Sequence, residues 1–198
     1  MALTKVQQAN LYAIASTASN VIGEGAVVDV STYLQIDVRI RMGRATSSAF
    51  TVGPKIRLEG TYDSSSPTAD QWVVLAEFQA ALGTTLGSQA VSGTEAAGQT
   101  TVTLAAGTNF AAGDYVFFHN TTIANSEWAR VESVSGADLV ISEGLANAQT
   151  GATCRDQAEQ YRAVIDVAAL QGVRLVVDNA GSGQAVIVEA VFGALVSL

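Results

Sequence analysis

One cysteine, Cys154, stands in 198 residues, which excludes an intramolecular disulfide framework. A lone thiol fits assembly in a reducing cytoplasm. Histidine is as scarce: His119 stands alone. One Cys and one His cannot build a zinc site without several carboxylates. Proline occurs only at Pro54 and Pro67, and lysine only at Lys5 and Lys55. Charged residues make up 14% of the chain, against about 25% in an average protein. A surface so poor in charge tends to associate, so a homo-oligomer is expected, with a trimer favoured. The net charge of −8 lacks the clustered positive footprint of a nucleic-acid binder. Arg39, Arg41 and Arg44 are the one place where a local basic patch is possible. No apolar run approaches the roughly 18 residues of a membrane span. The first residues show neither a basic segment nor a compact apolar one, so no secretory leader is expected.

What is present is β-structure. Leu34, Ile36, Val38, Ile40 and Met42 alternate with Gln35, Asp37, Arg39 and Arg41, the period of a half-buried antiparallel strand. Similar strands are expected around 26–31, 50–52, 55–62 and 72–79, and again at 161–167, 173–179 and 185–192. Near Gly83 the composition shifts to Gly, Thr, Ser, Gln and Ala. Five short strands follow in about 65 residues, with a hairpin turn at Ser135-Gly136-Ala137-Asp138, a density that suggests a small barrel or meander. The expected fold is therefore all-β. An antiparallel sandwich is built from 26–88 and 158–198, a small β unit at 89–157 is inserted in it, and residues 1–25 form an N-terminal arm that is partly helical, partly extended.

Candidate chemistry is sparse. His119 would need an acidic partner and a nucleophile to act as a base, and it is read as a polar strand-end residue. Cys154 has Arg155 beside it, which could activate the thiol, but it is read as a small buried apolar residue. Asp63, Asp70, Asp114 and Asp138 are read as turn formers rather than calcium ligands. Glu77, Glu127, Glu132, Asp166 and Glu189 could pair across strands as acid and base, but nothing in their spacing requires it. Trp72 and Trp128 are read as core residues rather than glycan-stacking platforms. Gly181-Ser182-Gly183 lies between strands and is read as a hairpin turn, not a nucleotide-binding loop. No catalytic residue, metal site or cofactor is expected.

Val28-Asp29-Val30-Ser31, Trp72-Val73-Val74-Leu75 and Val173-Arg174-Leu175-Val176-Val177-Asp178-Asn179 come in an order that resembles small structural proteins of tailed-bacteriophage virions. The nearest in style are the jelly-roll capsid decoration (cement) proteins. Within the insert, Gly113-Asp114 followed by Glu127-Trp128-Ala129-Arg130-Val131 resembles small β modules found in phage head and tail proteins. The resemblance implies a jelly-roll-like sandwich and a non-enzymatic virion component. It implies assembly in the host cytoplasm, with the major capsid protein or other virion proteins as partners, and with neither nucleic acid nor membrane among them. A tail or head–tail adaptor component and a carbohydrate-binding sandwich module are the competing readings.

Overall fold

The computed structural model describes residues 3–63, 67–82, 87–106 and 109–197. Ser64 to Ser66, between the expected turn formers Asp63 and Asp70, and Gly83 at the composition shift lie outside them. Before the insert the strands are β1 (Leu3–Thr17), β2 (Ile22–Glu24), β3 (Val28–Asp29), β4 (Tyr33–Arg44), β5 (Lys55–Thr61) and β6 (Trp72–Gln79). The insert holds β7 (Ser88–Ala90), β8 (Thr94–Glu95), β9 (Thr101–Thr103), β10 (Tyr115–His119), β11 (Glu127–Ser135), β12 (Asp138–Ile141), β13 (Gln149–Thr150) and β14 (Thr153–Arg155). Then follow β15 (Glu159–Asp166), β16 (Gly172–Asp178) and β17 (Val186–Ser197).

The fold is all-β, with antiparallel pairing throughout. One sheet has the order β1-β17-β4-β15, and the facing sheet β2-β16-β5-β6, with β3 also on β16. The chain changes sheets between β1 and β2, β3 and β4, β4 and β5, β6 and β15, β15 and β16, and β16 and β17. The first and last strands lie side by side. That winding is a jelly roll, a four-stranded and a five-stranded sheet closed over one core. The alternation in β4 explains the core: Ile36, Val38, Ile40 and Met42 are at most 1% exposed and meet Ile56, Leu58, Val173, Leu175 and Val177 of the other sheet. Each such side chain contributes about 1.5–3 kcal/mol by leaving water.

Residues 3–17 of the expected arm form β1, the first strand of the roll, which pairs with β17 from Leu3↔Ser197 to Thr17↔Val186. Its register slips three times, between Gln7 and Asn10, Asn10 and Tyr12, and Tyr12 and Ala15. Each slip resets the inward–outward alternation, so the period of two is absent from the sequence although the strand is there. Two further expectations differ. Residues 50–52 are not a strand; Phe50 instead plugs the core at 5% exposure. Gly181-Ser182-Gly183 is not a hairpin turn, because β16 and β17 belong to opposite sheets; it is the corner that carries the chain across.

Residues 88–155 fold onto themselves. A six-stranded sheet runs β7-β14-β10-β11-β12-β9, with β13 and β8 paired separately. A bridge from Val91 to Leu104, just past β7 and β9, joins the two edges and closes a small barrel. Its core includes Val102, Phe118, Val131, Leu139, Ile141 and Cys154. Gly136, at φ 62°, takes the left-handed first position of the two-residue turn between β11 and β12.

Candidate functional site

The residues singled out for chemistry scatter rather than converge. His119 ends β10, and its ring lies 6.0 Å from that of Phe117. Burial, and then the charge of Arg155, hold its imidazole below the ordinary value. Cys154 is wholly buried in the barrel core, and burial pushes its thiol well up, away from a reactive thiolate. Cys154→Ser is expected to cost about 1–2 kcal/mol, because a hydroxyl replaces sulfur in an apolar pocket. In native protein the thiol should resist a maleimide that labels it readily in urea; rapid native labelling would contradict this placement.

Each tested carboxylate is a structural acceptor or a surface group. Glu77 faces Lys55 at 3.6 Å, and Glu189 pairs with Arg41. Glu127 accepts from the Ala146 N–H at 2.7 Å and the Asn147 N–H at 3.2 Å, closing a loop of the barrel. Asp166 accepts from the Ala168 N–H at 3.0 Å, and Glu132 is exposed on β11. Asp114 closes a turn through the Ala111 N–H at 2.7 Å, and Asp138 accepts from the Thr103 hydroxyl across β12 and β9 at 2.8 Å. Among the described residues no group of three or more His, Cys, Asp or Glu could hold a metal ion.

The arginine patch does not form. Arg39 is exposed, Arg41 is tied to Glu189 and lies 5.1 Å from the centre of the Trp128 ring, and Arg44 is 3% exposed over the Phe50 ring. The tryptophans also part company. Trp128 is buried at 8% exposure, as expected. Trp72 is not core: it lies on the outer face of its sheet, with the Arg174 guanidinium 4.1 Å above its ring. Arg174 there bridges Glu59 and Glu24, each at 2.9 Å.

Two features of the tertiary structure had no signal in the sequence. The first is the seat of the barrel. In β10, Val116 and Phe118 point into the barrel core, while Phe117 points out and packs with Trp128 and Ile187, all three nearly or fully buried. Ile187 lies beside Gly43 in the β17–β4 register, on the outer face of the roll. A Cβ built at Gly43 would fall within 3.0 Å of three atoms of the Phe117 ring. Glycine is therefore what lets the barrel lie flat on the sheet. The chain leaves and re-enters the roll at one place, where Phe78 near the end of β6 stacks on Tyr161 of β15 at 5.0 Å.

The second is the distribution of exposed apolar groups. Val21, Ile22 and Val27 lie on or beside β2 and β3; Val73 and Val74 lie on β6, and Val164 on β15. The strands β2, β6 and β15 are sheet edges. Among the described residues, six of the nine exposed large apolar side chains thus sit on or beside strands with backbone groups open to a partner. At one end of the roll, Thr61, Tyr62, Asp63, Asp70, Gln71, Val73 and Gln171 line an open groove of about 550 Å³.

No protein-family model matches the sequence, and no curated protein does either. Among solved structures, the chain is similar to the K3 cleaved adhesin domain of Lys-gingipain from Porphyromonas gingivalis, with 7% identity and a TM-score of 0.41 over 97% of this chain and 90% of that one. It is similar to the SPBc2 prophage-derived protein YomS, with 9% identity and a TM-score of 0.31 over 98% of this chain and 96% of that one. A structure of the Gt strain of infectious bursal disease virus matches with 11% identity and a TM-score of 0.24, over 98% of this chain and 42% of that one. Two of the three are viral or prophage-derived.

Proposed function

We propose that this chain is a non-enzymatic structural protein of a bacteriophage virion, a decoration protein that binds and stabilises the assembled capsid as a homo-oligomer, with a trimer favoured. The observation that carries this reading is the placement of exposed valine and isoleucine on or beside the open edges β2, β6 and β15 of the roll. An edge strand offers main-chain pairing and apolar contact together, the chemistry of a subunit joint rather than of a reaction. The low charge of the chain and the structural use of its carboxylates support the same reading.

A decoration protein reads a composite surface that exists only where several capsid subunits meet. Each contact can be weak, and an oligomer engaging several equivalent sites makes the sum strong. Binding only to the assembled state stabilises that state by mass action. Co-sedimentation should therefore show the protein with expanded empty heads and not with free capsid subunits, and heads without it should break at lower temperature. Location only at the neck or tail in micrographs of virions would favour an adaptor instead. Location on no part of the particle would defeat both.

A further inference from the structure

The groove at the end of the roll has chemistry that the capsid reading does not use. It is assembled from three distant pieces of chain: the end of β5 with Tyr62 and Asp63, the short 3-10 turn Ala69–Gln71 leading into Val73, and Gln171 from the turn before β16. Its polar groups are held in place. The Thr68 N–H donates to the side-chain oxygen of Gln71 at 2.6 Å, and that fixes the amide so that its Nε2 donates to Asp63 at 3.3 Å. The Asp63 N–H in turn donates to the Thr61 hydroxyl at 3.1 Å. The Thr68 hydroxyl donates to Asp70 and holds its carboxyl below the ordinary value. Gln171 is pinned through both sides of its peptide: its N–H donates to the Thr61 carbonyl at 2.8 Å, and its carbonyl accepts from the Val30 N–H at 3.0 Å. Beside these groups Tyr62 is 65% exposed and Val73 is 48% exposed. An aromatic ring that open makes little contribution to the core.

The combination selects among ligands. Two carboxylates disfavour an anion, a nucleic acid included. A buried metal is disfavoured, because no cluster of three ligating side chains exists among the described residues. A purely apolar ligand would strip water from two carboxylates and the Gln71 amide without replacing their hydrogen bonds. A sugar satisfies all of them. Its hydroxyls donate to carboxylates and accept from amides, and its C–H face lies on an aromatic ring. The volume falls within the range of small-ligand sites, and groups fixed before binding lose little freedom on binding.

We infer that this groove is a binding site for an uncharged saccharide, with Tyr62 as the stacking platform, Asp63 and Asp70 as acceptors from adjacent hydroxyls, Gln71 as the amide donor, and Gln171 as a wall residue fixed through its backbone. Apart from Val73, the groove uses none of the exposed edge residues of the capsid reading, so either can fail alone. The test is saturation-transfer NMR on the full chain with a mixture of methyl glycosides of glucose, galactose, mannose, rhamnose and N-acetylglucosamine. Transfer to the ring protons of at least one glycoside is expected. Tyr62→Ala and Gln71→Ala should each weaken the binding by about tenfold or more; Tyr62→Ala should keep the wild-type unfolding temperature because its side chain is exposed, whereas Gln71→Ala also releases Thr68 and Asp63. No transfer to any glycoside overturns the proposal. So does transfer undiminished in Tyr62→Ala, or transfer that requires added calcium.

Discussion

Asn179→Asp is expected to be among the most damaging single-atom changes in this protein. Asn179 is fully buried at the corner between β16 and β17. Its side-chain nitrogen donates to the carbonyls of Thr17 at 3.0 Å, Ala18 at 2.9 Å and Gln184 at 2.9 Å. One amide group thereby ties the end of β1 and the start of β17 to the end of β16. Aspartate has the same shape but no such donor. Ionised, it faces three carbonyl oxygens in a dry site; protonated, it supplies one donor for three acceptors. A loss of about 3 kcal/mol or more is expected, a large share of the 5–15 kcal/mol typical of a domain. The sign with pH follows from burial. The new carboxyl would titrate in the folded state above its unfolded value of about 3.9, so the folded form holds its proton longer. The penalty is then smallest below about pH 4 and grows as pH rises toward the folded-state value. Urea unfolding at acid and neutral pH measures this; a midpoint equal to wild type at neutral pH would contradict the corner's role.

Gly43→Val is expected to unseat the barrel while leaving the strand that carries it intact. Valine suits a strand, so the harm comes from the Phe117 ring that stands over Gly43. Overpacking of this kind costs about 1–3 kcal/mol. Phe117→Ala alone should cost about 3–5 kcal/mol, since the ring is wholly buried against Trp128 and Ile187. The two residues share one space, so the double variant should lose clearly less than the sum of the singles. Trp128 fluorescence reports the same event, because its ring lies 4.8 Å from that of Phe117 and should move toward water. Additive costs with unchanged Trp128 emission would show that the ring and the glycine do not compete.

The all-β class, the strands β4, β5, β16 and β17, and the Ser135–Asp138 hairpin turn were legible in the sequence because each depends on neighbours along the chain. Alternation at Leu34–Met42 records burial on one face, and a glycine in a two-residue loop records a local φ. β1 was not legible, because its three register slips erase the alternation from which a strand is recognised. The core places of Cys154 and Trp128 followed from their apolar neighbours. The outer-face position of Trp72 did not, because Arg174, about a hundred residues away, holds it there.

The sequence by itself determined that the chain is β-rich, poor in charge, without a disulfide framework, and built of strands that must bury one face. The tertiary structure alone decided which sheet each strand joins, that the first and last strands lie side by side, and that Phe117 rests on Gly43. It also decided that Tyr62, Gln71 and Gln171 share one groove. The reason is physical. Periodicity and turn chemistry are properties of consecutive residues, whereas sheet order and sites come from contacts between residues far apart in the chain, which leave no regular spacing behind.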